Sequence, residues 1–539
     1  MPTLTWIGKE AVVNHHQQVP FHLLKDVPER ACGEPGDGNL IVQGDNLVAL
    51  KALLPYYAGQ VKCIYIDPPY NTGNEGWVYN DNVNSPVIRE WLGKVVGKEG
   101  ETLDRHDRWL CMMYPRLALL RQFLREDGAI FISLDDNEIH TLRYAMDDIF
   151  GSTNFITTVL WQKVYSPKNS ARHFSEDHDY IVVYAKKAET WKPNLVPRSE
   201  DQDSAYKNRD NDPRGAWKTS DLSARNPYSE GLYSVKCPSG RVINGPPTGR
   251  YWTISKDKFE VFDTDNRIWW GKTGNSIPQL KRFLSEVKQG VVPQTMWFYG
   301  DVGHTQDAKK ELLQLVEFPD SESVFITPKP TRLIERILQI STSPGDLVLD
   351  SFAGSGTTGH AVLKLNRAIA VQEPRRFILV EMEPKIAQDI TAERVRRVAE
   401  GYKNAKGESI EGLGGGFRYC ELGEPLFDES GKIRETVSFS DLARHVYFTE
   451  TGEPLPRGRV TKSPFLGECR GVGVYLLYNG ILDDKSAQGG NVLTRAVLAK
   501  LPKFEGQKVI YCAGCLLGKD RLQAERILIR QTPYEIKVS

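Results

Sequence analysis

The stretch Val61-Lys62-Cys63-Ile64-Tyr65-Ile66-Asp67-Pro68-Pro69-Tyr70 constrains the fold more than any other part of the chain. Mostly β-branched and apolar residues run straight into a carboxylate, two prolines and an aromatic ring. That pattern predicts a buried strand whose carboxyl end breaks at once into a rigid, extended turn. Each proline fixes its own φ and restrains the residue before it, so carboxylate, carbonyls and ring are held in one arrangement. Open α/β sheets bind ligands outside the carboxyl ends of their strands, which makes Asp67, Pro68, Pro69 and Tyr70 candidate catalytic residues. The Asp67 carboxylate and the Pro68 carbonyl are two acceptors suited to the two hydrogens of an exocyclic amine. Tyr70 offers a face on which the ring bearing that amine can stack. A Pro-Pro turn that merely closes a core strand has the same local sequence.

A second strand, Asp346-Leu347-Val348-Leu349-Asp350, leads into Ser351-Phe352-Ala353-Gly354-Ser355-Gly356-Thr357-Thr358 and then a helix. Gly354 and Gly356 let the backbone approach a ligand closely, and the helix N-terminus favours an anionic group. No lysine precedes Thr357, so this is not a phosphate-binding Walker loop, and the spacing departs from GxGxxG. Glu381 closes the next strand, Phe377-Ile378-Leu379-Val380, where ribose hydroxyls require a bidentate acceptor. The set suits a nucleoside-containing ligand with a carboxylate tail. Asp45, after the short strand Asn39–Gln43, is placed either to meet a ligand or to cap the helix that follows; both readings stand.

The chain has 539 residues, 40% of them hydrophobic, which is too long for a single core. Its 69 basic and 69 acidic side chains cancel, so any nucleic-acid surface must be a local patch. Eight scattered cysteines show no disulfide framework, and the lone Cys512-Ala513-Gly514-Cys515 reads as strand-end packing rather than a metal site. With no signal-peptide pattern and no apolar run of spanning length, a soluble, intracellular protein in a reducing compartment is expected. Strand–helix alternation over 39–190 and again over 323–405 predicts a mostly parallel sheet covered on both faces. Residues 1–38 read as an arm, and a last domain is expected from 406, after the glycine run at 412–416. Between these, 191–322 loses the alternation and reads as an inserted module. Residues 214–300 carry 13 Lys/Arg against 7 Asp/Glu. Interleaved Trp217, Tyr251, Trp252, Trp269, Trp270 and Trp297 make this segment either a nucleic-acid surface or a core with a solvated basic face.

The two constellations together resemble the amino-group DNA methyltransferases that use S-adenosylmethionine. Further words sharpen the likeness to the modification (Mod) subunits of type III restriction–modification systems. They are Gly44-Asp45-Asn46-Leu47, Asn71-Thr72-Gly73 after Tyr70, Met113-Tyr114-Pro115-Arg116-Leu117, Ile132 to Glu138, Thr327-Pro328-Lys329-Pro330, and the tail Arg530 to Lys537. The likeness runs from about residue 39 to the end and is weakest across the insert. It implies a Rossmann-like S-adenosylmethionine-dependent methyltransferase sheet of the α/β class with circularly permuted motif order. An inserted target-recognition domain (191–322) and an α+β C-terminal domain (406–539) would complete it. By position, Asp67, Pro68 and Tyr70 would hold the target base; Asp350, Phe352, Gly354, Gly356, Thr357 and Glu381 would line the cofactor; and Asp45 would lie near its adenine. Lys329 would neutralise the cofactor's carboxylate, or simply cap the next helix. The resemblance further implies N6-adenine methylation of double-stranded DNA by a bacterial or archaeal cytoplasmic protein. A homodimer is implied as well, paired in some systems with a helicase–nuclease subunit.

Overall fold

The computed structural model describes residues 5–33, 38–72, 90, 93–94, 105–198, 203–288, 290–318, 327–369, 373–404, 407–429, 432–456, 463–479, 486 and 488–532. Gly73 and residues 533–537, on which part of the family likeness rests, lie outside them. The chain divides into two compact units, one made of 1–194 with 294–539 and the other of 195–293.

The larger unit is built on a ten-stranded sheet. Its strands are β1 (His22–Asp26), β2 (Leu40–Gln43), β3 (Val61–Ile66), β4 (Leu124–Leu134), β5 (Phe155–Gln162), β6 (His178–Ala185), β7 (Met296–Trp297), β8 (Leu347–Asp350), β9 (Arg376–Glu381) and β10 (Arg418–Pro425). They lie in the order β1-β10-β2-β9-β8-β3-β4-β6-β5-β7. The six strands from β10 to β4 are mutually parallel, whereas β6 is antiparallel to both of its neighbours. Continuous apolar runs explain the centre: β3, β8 and β9 are buried almost throughout, as strands covered on both faces must be.

The helices that matter for the site are α1 (Asn46–Tyr57), α2 (Arg105–Phe123), α3 (Ile139–Phe150), α4 (Thr305–Leu315), α5 (Thr331–Ser341), α6 (Thr357–Ile369) and α7 (Glu393–Glu400). In α5, Leu333, Ile334, Ile337 and Leu338 recur at helical spacing and are all buried. Each such side chain removed from water contributes roughly 1.5–3 kcal/mol. From β8 the chain passes through α6 to β9 on one side, and from β3 through α2 to β4 on the other. The crossovers therefore diverge between β3 and β8, which are direct neighbours with Leu349 opposite Ile64. That is a topological switch point, where an open parallel sheet leaves a crevice at its carboxyl edge. Since β3 precedes β8 in sequence, the motif order is circularly permuted.

Three strands arise outside the expected α/β segments, β7 among them from within the expected 191–322 insert. β1 comes from the N-terminal arm and β10 from beyond residue 406, and they pair with each other at one edge of the sheet. Edge strands need no fully apolar run, and β1 is only half-buried to exposed along its length, so the sequence carried little strand signal there. Past β10, a four-stranded sheet is formed by Phe465–Cys469, Val472–Leu476, Gln507–Cys512 and Ile527–Gln531, the last three parallel. No helix among the described residues is long and apolar enough to cross a membrane.

The smaller unit contains a three-stranded antiparallel sheet of Ile268–Trp269, Gln279–Phe283 and Trp217–Asp221, with short hairpins and one helix, Lys256–Thr264. Trp252 and Trp270 sit with Leu222, Val235, Cys237, Phe259 and Ile268 in its core. Trp217 is fully buried and donates its indole N–H to Asp210 at 2.8 Å. These three rings are therefore core, not a stacking surface. Lys281 is buried too, ion-paired to Asp210 and Asp212. Arg214 and Arg267 are held by Asp212, Asp265 and Glu286. Lys218, Arg225, Lys236, Arg241, Lys272 and Arg282 are exposed and make no ion pair among the described residues.

Replacing Trp217 by Ala removes a fully buried ring and should cost about 3–5 kcal/mol. The expected signature is local: limited proteolysis of the variant should cut first within 195–293, with the larger unit's fragments persisting.

Candidate active site

The Asp67 turn leaves β3 at the switch point. The Asp67 side chain keeps 20% of its accessibility and pairs with the Lys329 ammonium, itself 8% exposed, at 2.5 Å through Oδ2. Its other oxygen, Oδ1, is buried with no hydrogen-bond partner. A buried carboxylate oxygen without a donor is costly and marks a position where a donor belongs. Burial pushes the Asp67 carboxyl above the ordinary carboxylate range; the Lys329 ammonium opposes that shift and the Asp179 carboxylate adds to it.

The rest of the turn is fixed from outside. The Trp109 indole donates to the Pro69 carbonyl at 2.7 Å. Asn71 adopts a left-handed φ of 57° and donates its amide to Glu138 and to the Arg105 carbonyl. Tyr70 donates to Asp179 at 3.3 Å, and Asp179 is in turn held by Lys163 at 2.6 Å. The Lys329 ammonium also lies 5.1 Å from the centre of the Tyr70 ring. Asp179 and Lys163 escaped the sequence reading. Their only signal was a carboxylate at the mouth of the apolar strand Tyr180–Tyr184, which by itself points nowhere.

The glycine-rich turn follows β8 beside this. Gly354 and Gly356 have φ values of 48° and 72°, the left-handed region that glycine enters freely. Glu381, at the end of β9, accepts the Gly354 N–H at 2.8 Å and the Glu383 N–H at 3.0 Å. Each of its oxygens retains acceptor capacity for a hydroxyl. Burial drives its carboxyl upward as well. Asp350 turns its carboxylate to the loop itself, accepting from Thr358 at 2.5 Å and from the Phe352 N–H at 3.0 Å. Burial first, with Asp67 and Glu381 nearby, pushes Asp350 up to about 7. Thr357 is buried and donates to the Lys329 carbonyl at 3.3 Å. Phe352 is half-buried against the main core.

Asp45 satisfies both oxygens locally. Oδ1 caps α1 through Leu47 and Val48, and Oδ2 pairs with the buried Arg116 at 2.9 Å. Its neighbour Gly44 donates to the Glu381 carbonyl at 2.9 Å, which sets Asp45 on the same edge as Glu381. The cap is thus realised, at a place a ligand can still reach. Lys329 precedes α5 but its ammonium is engaged by Asp67. Around that pair Tyr65, Thr327, Pro328, Ala353 and Ser355 line a pocket shared with the glycine-rich turn.

Known proteins resemble this chain in sequence. A family model described as DNA methylase matches residues 61–393. The StyLTI Mod subunit of a type III restriction-modification enzyme from Salmonella typhimurium is 34% identical, over 70% of this chain and 59% of its own length. The EcoP15I Mod subunit of Escherichia coli is 31% identical over 71% and 64%. The EcoPI Mod subunit of Escherichia phage P1 is 28% identical over 83% and 74%. The chain belongs to the DNA methylase family. Within it, these similarities are to type III Mod subunits, and the chain spans 59% and 64% of the lengths of the first two.

Because the folded-state pKa of Asp67 lies above its unfolded value, this group favours the fold in acid and ceases to do so as pH rises. Lys329 limits that loss. Lys329→Met should therefore be nearly neutral below the carboxylate range, where Asp67 is protonated, and cost about 3 kcal/mol near neutral pH. Urea unfolding midpoints of wild type and variant across that range test this; a pH-independent difference would contradict it.

Proposed function

We propose that the chain is a site-specific DNA methyltransferase that moves a methyl group from S-adenosylmethionine to N6 of an adenine flipped out of duplex DNA. In this reading it is the modification subunit of a type III-like restriction–modification system. The observation that carries it is the Asp67 carboxylate: largely buried, one oxygen lacking a donor, beside a glycine-rich turn and the acidic end of the adjoining strand.

The residues fit the cofactor by the chemistry of their donors and acceptors. Glu381 would take the ribose hydroxyls and Gly354 would admit the nucleoside to the backbone, while the side-chain position of Gly356 faces the Thr391 carbonyl behind the turn, so its lack of a Cβ seats the loop. Phe352 and Thr357 complete that wall, Asp350 pins it, and Asp45 lies along the same edge for the adenine. S-adenosylmethionine, when bound, supplies a methyl group made electrophilic by its sulfonium. Lys329, which borders the same pocket, would meet the cofactor's carboxylate.

The amine of adenine is a poor nucleophile because its lone pair is delocalised into the ring. Asp67 Oδ1 and the Pro68 carbonyl, by accepting its two hydrogens, draw the nitrogen towards tetrahedral geometry and stabilise the positive charge that grows on it. Tyr70, braced through Asp179, provides the stacking face. No general base has to act before attack, since the amine loses its proton afterwards. Positioning and charge stabilisation do the work. In the 195–293 unit, the exposed Lys218, Arg225, Lys236, Arg241, Lys272 and Arg282 supply the phosphate-binding charge expected of a target-recognition module. We further propose a cytoplasmic homodimer in which a separate helicase–nuclease subunit performs any cutting.

Asp67→Ala should lower turnover by at least about a hundredfold while S-adenosylmethionine still binds, read by methyl transfer and by calorimetry. Tyr70→Ala should weaken trapping of an extruded base by about 1–3 kcal/mol, read by 2-aminopurine fluorescence. Expression in a methylation-free host, followed by single-molecule sequencing and nucleoside mass spectrometry, tests the whole reading. N6-methyladenine in one short sequence context is the expected result. N4-methylcytosine would retain the mechanism and change the base, and unmodified DNA would refute the assignment.

A further inference from the structure

Behind the glycine-rich turn lies a buried cation that the catalytic scheme does not use. Before α7 the helix takes a six-residue π turn, Ala387–Ala392, and such insertions re-aim side chains, often at functional sites. Here they aim Thr391 and Arg394 at the loop. Thr391 donates its hydroxyl to the Gly354 carbonyl at 2.5 Å. A Cβ on Gly356 would lie 2.9 Å from the Thr391 carbonyl, so the loop and the π turn meet backbone to backbone.

Arg394 is fully buried. Its Nη1 donates to Thr357 Oγ1 at 2.9 Å, Ser355 Oγ at 3.3 Å and the Ser355 carbonyl at 3.4 Å. Its Nη2 donates to Thr331 Oγ1 at 3.0 Å, Glu311 Oε2 at 3.2 Å and His360 Nδ1 at 3.3 Å. Burial lowers His360 to about 3, so the ring is neutral and its Nδ1 can accept. Thr331 also donates to Glu311 at 2.6 Å, and it opens α5 two residues after Lys329. One planar fork thus ties three pieces of chain: the loop, the Lys329 segment and α4.

The bland alternative is a buried ion pair that serves the fold alone. Buried pairs are weak stabilisers, because well-packed apolar residues of similar size usually hold a fold as well or better. Here one half of the fork serves the loop and the other half serves α4 and α5, a geometry that fixes relative position and that a single ammonium cannot reproduce.

We propose that Arg394 is a positioning residue of the cofactor site: through Thr357, Ser355 and Thr331 it sets the glycine-rich turn and the Lys329 segment in the relative arrangement that binding of the nucleoside cofactor requires. This rests on the reading that the turn holds S-adenosylmethionine. The test is calorimetric titration of S-adenosylmethionine into wild type, Arg394→Lys and the double variant Arg394→Met/Glu311→Met, with unfolding midpoints and affinity for duplex DNA measured alongside. The double variant removes the buried cation together with its half-buried partner carboxylate, so it should unfold at or above the wild-type midpoint and bind DNA unchanged. Its Kd for S-adenosylmethionine should nevertheless rise about tenfold or more. Arg394→Lys keeps the charge and the Glu311 pair but not the fork, and should show the same defect at about threefold or more. Wild-type cofactor affinity in either folded variant would overturn the proposal, as would loss of fold in both, which would make the residue purely structural. A wild-type protein that takes up no S-adenosylmethionine would instead overturn the function on which the proposal rests.

Discussion

Everything at the site depends on β3 and β8 ending side by side. They are separated by 280 residues of chain, yet they are adjacent in the sheet, parallel, and in register at Ile64 and Leu349. Their crossovers diverge, so neither following loop covers the crevice. The two turns that leave these strands line one pocket, with a carboxylate on one and glycines on the other. Remote parts of the chain serve this adjacency. Trp109 and Glu138 brace the Asp67 turn, and α5 brings Lys329 to it. The π turn before α7 backs the glycine loop. The inserted 195–293 unit is accommodated in sequence between β6 and β7 without breaking the central strands.

The two turns were legible in the sequence because each is written locally. An apolar run, a breaker and a polar residue at a strand end need no knowledge of the fold to be noticed. What was illegible is what those residues touch. Lys329 offered two readings from position alone, a partner for the cofactor's carboxylate or a helix cap. The structure places it on Asp67, 262 residues away, a pairing that no periodicity announces. Arg394 and Glu311 are 83 residues apart, and each looks like one more charge on an amphipathic helix. The tryptophans of the insert were ambiguous for a different reason. An aromatic among basic residues looks the same whether it faces solvent or a small core, and only burial separates the two. β1 was faint because an edge strand may be polar on one side, and β10 because most of its residues are only partly buried.

The carboxyl edge of the sheet concentrates negative charge: Asp67, Asp179, Asp350 and Glu381 all lie there, and burial raises the pKa of Asp67, Asp350 and Glu381. A fold selected for stability alone would not gather them, since each raised carboxyl is worth less to the native state as pH rises. The molecule lowers the cost in different ways. Asp350 takes hydrogen bonds from its own loop, Glu381 takes two backbone N–H groups, Asp179 takes Lys163, and Asp67 takes Lys329. Two of these arrangements are built into strand ends and loops, and two rely on lysine side chains. Of those two, the pair at Asp67 leaves one carboxylate oxygen without a donor. The site is thus incompletely neutralised at one residue, and that residue lines the pocket beside the glycine-rich turn. A ligand offering hydrogen-bond donors and developing positive charge is favoured there over any neutral one, most strongly in the state where its charge is largest. Methyl transfer to an amine has that electrostatic profile, so the strain of gathering carboxylates and the chemistry they would perform have one cause.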